Sequence, residues 1–374
     1  MRLVPIESVK EGSFLAKSIF DDNGRILLRE GVKLSDMIIS RVRSLKIYSI
    51  YVIDEYSDKE IEDVIKPELR QKAIKQVKDT FLGIGKLGGS TNFIKPQSNI
   101  SVREKAALFD NVRALADNLI EELLSRKNVL VNLVDIKSMD NYTYQHCVNV
   151  SVLSLILGIE LKLNKVELYD LCIGALMHDL GKVLIPRDIL LKSDKLSDNE
   201  FELIKSHSVK GFDYARRMNE ISAMSRAVIL QHHERFDGKG YPDQKKAQDI
   251  HRFARIVAIA DVYDALTSDR PYRRALSPSD ALEFIMANGG AQFDYEMVKA
   301  FSKVIVPYPE GSLVQLSTDE YAVVDEVYQN YPLRPKVKII KSSSQSRVNT
   351  FVDLVHSLDV VIKNHVYIVN EQGA

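Results

Sequence analysis

Met177-His178-Asp179-Leu180-Gly181-Lys182, then His207, then His232-His233-Glu234-Arg235-Phe236-Asp237-Gly238-Lys239-Gly240-Tyr241-Pro242: on this stretch the reading of the chain turns. Asp261 follows at the end of the apolar run Ile256-Val257-Ala258-Ile259-Ala260. His178, His207, His232 and Asp261 stand 29, 25 and 29 residues apart, each step about one helix plus one connection. A helical bundle can bring residues so spaced to one place. Ser197-Asp198-Asn199-Glu200 is a capping box that predicts a helix carrying His207. His178-Asp179 ends a helical run from Val166, and His232-His233 ends another from Ser222. Adjacent residues on a helix diverge by about 100°, so one member of each pair can bind one metal ion while its neighbour binds or bridges to a second. His178, Asp179, His207, His232, His233 and Asp261 are therefore the expected ligands. Imidazole and carboxylate donors suit iron or manganese better than a closed structural zinc site, which would use thiolates.

Each residue also has a plainer reading. A lone histidine beside an aspartate is usually a satisfied polar pair, and a lone helical histidine is usually solvated. Five of the eight histidines, His146, His178, His207, His232 and His233, nonetheless fall in one third of the chain at helical positions, which makes independent structural roles a poor explanation. His251, His356 and His365 have no such neighbours and are read as structural.

His178-Asp179-Leu-Gly-Lys182, His207, His232-His233-Glu-Arg-Phe-Asp-Gly-Lys-Gly240-Tyr241-Pro242, Asp261 and Asp264-Ala-Leu-Thr-Ser-Asp-Arg270-Pro-Tyr272-Arg273 together resemble the HD-GYP family, a branch of the HD-domain metal phosphohydrolases. The resemblance covers roughly residues 130 to 310, with every motif in order. It implies a metal-dependent phosphodiesterase that hydrolyses cyclic di-GMP to pGpG, with a further step to GMP left open, using a hydroxide held between two divalent metal ions that Asp179 bridges. Iron is the first expectation for those ions and manganese the second. Arg270, Arg273 and Lys182 are implied phosphate contacts, because guanidinium groups grip phosphate oxygens bidentately and Lys182, four residues after His178, can share its helix face. Tyr241 either stacks on a guanine base or stiffens its loop by packing.

His146, in Asp140-Asn-Tyr-Thr-Tyr-Gln-His146-Cys-Val-Asn-Val150, matches the family's pocket histidine. Three-metal members carry glutamate four residues before it, where this chain has Tyr142, and Asp140 lies on a different helical face. Two metals are therefore favoured over three, with His146 touching substrate or an optional third ion. Two competing readings stay open: a receptor that binds cyclic di-GMP without cutting it, and an HD phosphohydrolase for another cyclic dinucleotide such as cyclic GMP-AMP.

Around this region, 45% hydrophobic and 27% charged residues describe a soluble globular chain with room for two or three domains. The expected fold class is mainly α: an all-helical HD-type bundle with a small α+β module before it and a small β-rich appendage after it. Lysine plus arginine equals aspartate plus glutamate at 51 each, which argues against a protein that coats a nucleic acid polymer. No apolar run reaches the roughly 18 residues of a membrane span and the start lacks a secretory profile, so the cytoplasm is the expected location. Cys147 and Cys172 sit in apolar helical surroundings and read as reduced core thiols.

Residues 1 to 56 form the α+β module, with strands at Phe14 to Phe20 and Arg25 to Leu28, a helix from Ser35 and a strand from Tyr48 to Ile53. Residues 57 to 100 read as a helix-bearing linker whose Gly83, Gly85 and Gly88 are turn formers; no βαβ unit surrounds them to make a dinucleotide loop. Residues 101 to 310 form the catalytic domain, opening on the capping box Ser101-Val-Arg-Glu104, with Ser277-Pro278 starting a later helix and Arg274 a surface charge. Residues 311 to 374 alternate as short strands, with an expected role in packing or assembly, and a homodimer is one open expectation for the chain.

Overall fold

In the computed structural model, all residues are described except 22–24, 58–60, 62, 89–101, 127–141, 191, 193, 270–273, 329–330 and 369–374; the side chains of 86–88 and 102–108 are also left undescribed. The first unit contains β1 (Arg2–Pro5), β2 (Phe14–Leu15), β3 (Ile19–Phe20), β4 (Ile26–Leu28), α1 (Asp36–Ser44) and β5 (Ser49–Ile53). An antiparallel sheet runs β1-β5-β2, and β3 pairs with β4. The strand expected over Phe14 to Phe20 is broken, because Leu15 stays on β5 while Ile19 and Phe20 turn away to β4. Ser35 caps α1 by accepting from the backbone N–H of Ile38. Val4, Leu15, Leu34, Val42, Ile50 and Val52 fill the small core beneath the sheet.

The helical unit follows as α2 (Pro67–Gly88), α3 (Val102–Leu124), α4 (Tyr142–Glu160), α5 (Lys165–Met177), α6 (Arg187–Leu190), α7 (Asp198–Lys205), α8 (His207–Ala215), α9 (Ala223–Gln231), α10 (Arg252–Leu266), α11 (Pro278–Ala287) and α12 (Tyr295–Val304). Helix α4 is buried from Gln145 to Gly158 and touches α2, α5, α10 and α12, as a helix apolar on all sides must. Ser101 and Asp140 lie outside the described residues. Cys147 and Cys172 are free and buried in this core.

Gly83 and Gly85, read from the sequence as turn formers, are helical instead. Phe81 and Ile84 on the same helix are wholly buried in the bundle core. Each such burial contributes roughly 1.5–3 kcal/mol, more than the ~1 kcal/mol that a helical glycine costs. Residues 67–88 are thus a wall of the bundle rather than a tether.

The last unit is an antiparallel sheet in the order β10-β6-β7-β8-β9, made of β6 (Leu313–Leu316), β7 (Tyr321–Glu326), β8 (Lys336–Lys341), β9 (Phe351–Asp353) and β10 (Ile362–Val366). Val314, Leu316, Val324, Val337 and Ile339 form its core. Arg2 ties the two ends of the chain together, pairing with Asp54 and donating to the backbone oxygen of Tyr367 at 3.0 Å. Arg274, expected to be a surface charge, pairs with Glu7 and lies 4.6 Å over the Tyr48 ring, so it joins the first unit to the bundle. Mainly helical content with a small sheet at each end is the fold class. No helix among the described residues is long and apolar enough to cross a membrane.

Candidate metal centre

Four helix ends and one helix interior deliver the donors. Asn164 and Glu167 form a reciprocal capping box that starts α5, and the helix closes with His178 as its C-cap, followed by Asp179. Ser197 and Glu200 cap α7 in the same way, but the helix stops at Lys205 and His207 opens α8. Ser222 caps α9, whose C-cap is His232. Asp261 projects from the middle of α10, and His146 from the first turns of α4.

Two groups result: His207, His232 and His233 in one, and His146, His178 and Asp179 in the other, with donor atoms of each within 4.8 Å of one another. Asp179 faces both, with Oδ1 3.5 Å from His207 Nε2 and Oδ2 3.4 Å from His178 Nε2. Asp261 does likewise, with Oδ1 3.0 Å from His146 Nε2 and Oδ2 3.7 Å from His233 Nδ1.

Backbone carbonyls decide which ring nitrogen is presented. His178 Nδ1 donates to Ala175 O at 2.7 Å, His207 Nδ1 to Ile204 O at 2.7 Å, and His232 Nδ1 to Ile229 O at 3.0 Å. A carbonyl can only accept, so each Nδ1 carries a proton and Nε2 is the nitrogen turned inward. His207 Nε2 and His232 Nε2 then face each other at 3.2 Å, lone pair to lone pair. Two nitrogens held by one first-row ion at about 2.0–2.1 Å stand roughly 2.9–3.4 Å apart for angles between octahedral and tetrahedral. His178 Nε2 is buried and makes no hydrogen bond. These are the positions a divalent ion would satisfy, and the donors present fit one.

The electrostatics agree. Burial first, then the neighbouring rings, holds His232 well below the ordinary histidine value, and burial takes His233 down to about 3. His207 is lowered for the same reason. Burial works against ionising Asp179, yet Lys182, His178 and His207 outweigh it and keep the carboxylate charged. Asp261 is likewise held low, burial being overcome by its hydrogen bond from His146. Around neutral pH, His207, His232 and His233 offer neutral nitrogens beside two carboxylates. His146 is the exception: burial opposes its charge, but Tyr142, Asp261 and Asp264 push it up to about 10.

Comparison with known proteins accounts for this arrangement. Residues 118–297 match the family model described as "HD domain", and residues 313–371 match "KOW domain associated with HD domain". Residues 118–297 thus form an HD domain of the HD-GYP type. It is 38% identical over 229 residues to a cyclic di-GMP phosphodiesterase of Pseudomonas aeruginosa, covering 61% of this chain and 55% of that one. It is 34% identical over 206 residues to a cyclic di-GMP phosphodiesterase response regulator of Xanthomonas campestris, covering 54% of each. A 3'3'-cGAMP-specific phosphodiesterase of Vibrio cholerae is 31% identical over 269 residues, covering 66% of this chain and 57% of that one. The chain thus spans about half the length of the curated relatives it matches.

Two glycines hold the HD-GYP motifs in place. A Cβ on Gly181 would stand 1.8 Å from His207 O and 2.7 Å from Gly211 N, so the turn after Asp179 can meet the start of α8 only without a side chain. A Cβ on Gly240 would stand 2.4 Å from Arg235 N and 2.5 Å from His233 O. The loop from Gly238 to Pro242 therefore folds back on the histidine pair, where Tyr241 N donates to His233 O at 3.2 Å. Glu234, buried, fastens the far side by accepting from the backbone N–H of Asp243 and Lys245.

Tyr241 lies against His233, ring centroids 4.7 Å apart, and forms one wall of a cleft of about 760 Å³ beside His232 and His233. Lys205, Arg235 and Lys239 stand around the same cleft. Lys182 is arranged differently from the expectation. Helix α5 ends before it, so its ammonium reaches Asp179 Oδ2 at 2.6 Å instead of sharing a helix face with His178. Arg270 and Arg273 lie outside the described residues. His251 is a capping residue for α10, accepting from Phe253 N.

Sequence reasoning quoted Asp264 and Asn149 within motifs but gave neither a role. Asp264 Oδ2 accepts from His146 Nδ1 at 2.7 Å, and Asn149 Nδ2 donates to Asp264 Oδ1 at 3.2 Å. The signal was there: each lies three residues, about one helical turn, beyond a recognised site residue, Asp261 and His146 respectively.

Proposed function

We propose that this protein is a metal-dependent phosphodiesterase that hydrolyses cyclic di-GMP to the linear dinucleotide pGpG. The observation that carries the reading is the double-facing placement of Asp179, one oxygen toward each of two donor groups. It supports a reading with two ions, in which His207, His232 and His233 would hold one, His178 and Asp261 the other, and Asp179 would contribute to both. Bound there, divalent ions supply a hydroxide near neutral pH and neutralise charge on the phosphate under attack. Iron or manganese suits the nitrogen and oxygen donors.

The chain's own residues do the rest. Carbonyl-bound Nδ1 atoms fix the ring orientations of His178, His207 and His232, so no reorganisation is needed at binding. Lys182 stays protonated: burial lowers its pKa, but the Asp179 carboxylate raises it more. Its partly exposed ammonium neutralises Asp179 and can turn to a phosphate oxygen. Arg270 and Arg273 would clamp the phosphates bidentately. Tyr241, already against His233, offers the cleft an aromatic wall on which a guanine can lie.

A cyclic GMP-AMP substrate is the second reading, raised by the 31% identity to the cGAMP-specific enzyme, against 38% to the cyclic di-GMP one. Protein prepared without oxygen, assayed for metal content and incubated with cyclic di-GMP and cyclic GMP-AMP separately, tests both. Formation of pGpG by the wild type and not by Asp179→Ala is expected. Binding of cyclic di-GMP with no product from metal-replete protein would instead make it a receptor.

A further inference from the structure

Five buried side chains connect the segment before α2 to the metal centre. Arg70 donates through Nε to Asp63 Oδ2 at 2.9 Å and through Nη2 to Asp63 Oδ1 at 2.7 Å. Its Nη1 donates to Asn149 Oδ1 at 2.5 Å. Asn149 Nδ2 donates to Asp264 Oδ1 at 3.2 Å, and Asp264 Oδ2 accepts from His146 Nδ1 at 2.7 Å. His146 Nε2 then meets Asp261 Oδ1 at 3.0 Å. Asp63, Arg70, Asn149, Asp264 and His146 are all buried, and Asn149 and Asp264 are wholly so.

The direction of every link is forced. A guanidinium has donors and no acceptor, so Asn149 must turn its oxygen to Arg70 and its amide N–H to Asp264. A carboxylate only accepts, so His146 donates its Nδ1–H to Asp264 and its Nε2–H to Asp261. Reversal of any one group would set donor against donor or acceptor against acceptor in a water-poor interior.

We infer that Arg70 and Asn149 are positioning residues for the metal centre, acting through Asp264 on His146 and Asp261, so that the segment entering α2 is wired into the site. The inference rests on the metal-centre reading proposed above. Asp63 and Arg70 lie outside residues 118–297, the part that matches the HD domain, so this end of the network is supplied by the chain leading into that domain. A buried ion pair that merely stabilised α2 would need only Asp63; the third contact of Arg70, to Asn149, points the network at the site.

The test compares full-length wild type with two variants, each stripped of metal and titrated with Mn²⁺ by calorimetry, then assayed for kcat and KM with cyclic di-GMP. Asp63→Leu/Arg70→Met replaces the pair by apolar groups and leaves no stranded charge from it. Arg70→Lys keeps the charge opposite Asp63, and with it the fold, but lacks the planar fork that reaches Asn149 as well. Expected are cooperative melting in both, Mn²⁺ affinity weakened about 10–100-fold, and kcat reduced with KM little changed. A merely structural role would move the melting temperature and neither of the other readouts. Wild-type Mn²⁺ affinity and kcat in either folded variant overturn the inference. His232→Ala is the control: if it loses Mn²⁺ binding while the two variants do not, the metal centre stands and the positioning role falls. If it binds Mn²⁺ like the wild type, the metal-centre reading itself falls and the inference with it.

Discussion

Replacing Gly181 by alanine tests how closely the two halves of the site must approach. The new Cβ would lie 1.8 Å from the backbone oxygen of His207, where real Cβ contacts essentially never fall below 3.0 Å, so turn and helix must part by about 1.2 Å at least. The obstacle is backbone on both sides, His207 O and Gly211 N, and neither can swing away as a flexible side chain would. Overpacking of this kind costs roughly 1–3 kcal/mol of stability. The larger effect falls on the site, because the displaced elements carry Asp179 and His207, now 3.5 Å apart. A misplacement of about 1 Å can lower activity on the order of a hundredfold. Gly181→Ala is therefore expected to fold with a reduced melting temperature, to bind Mn²⁺ poorly in calorimetry, and to turn over cyclic di-GMP about a hundredfold more slowly. A variant that folds with wild-type metal affinity and turnover would refute the claim that this contact sets the donor spacing.

Gly240→Ala, which sets a Cβ against the backbone of His233 to Arg235, is expected to unseat Tyr241 and raise KM more than it lowers metal content; equal KM in a steady-state assay would count against the loop's part in binding. Arg270→Ala and Arg273→Ala are each expected to raise KM about tenfold or more with Mn²⁺ affinity unchanged, because a charge-assisted phosphate contact is worth about 1.5–3 kcal/mol. The metal-free protein should lose stability on acidification. Burial lowers His207 and His232, and His233 to about 3, so below roughly pH 6.5 the unfolded chain binds more protons than the folded one. Each of these histidines then removes up to about 1.4 kcal/mol per pH unit. His146, raised to about 10, contributes stability that is fully present only below about 6.5 and is lost as the pH climbs through its folded value, so on acidification from pH 7 it returns only a small part of what the three rings lose. Scanning calorimetry in chelator between pH 7 and pH 5.5 should show a falling melting temperature, and a rise would contradict the neutral, buried rings.

Much of this was legible along the chain. Ser197 with Glu200, and Ser222, mark helix starts by local chemistry alone, because a side-chain oxygen accepting a first-turn N–H needs no partner from elsewhere. The histidine and aspartate spacing gave helix ends and one helix interior that could converge, and all six expected ligands do stand within the two facing donor groups or directly beside them. Lys182 was misjudged on one local point, since α5 stops at Met177 and the chain tightens into a turn. Gly83 and Gly85 misled because composition near them suggested a turn, whereas burial of Phe81 and Ile84 decided the matter.

Read along the chain alone, the residues supply candidate donors, the starts of the helices that carry them and the order of the motifs, since capping and spacing are local properties. Which atom each candidate donor presents, and what holds it there, came from packing. The proton on each Nδ1 is fixed by a carbonyl, the approach of Asp179 to His207 by the absence of one Cβ, and the orientation of His146 by a network reaching back to Arg70. Those constraints join residues up to 194 positions apart in the chain, Arg70 and Asp264, and no local pattern encodes a hydrogen bond between helices that only packing brings together.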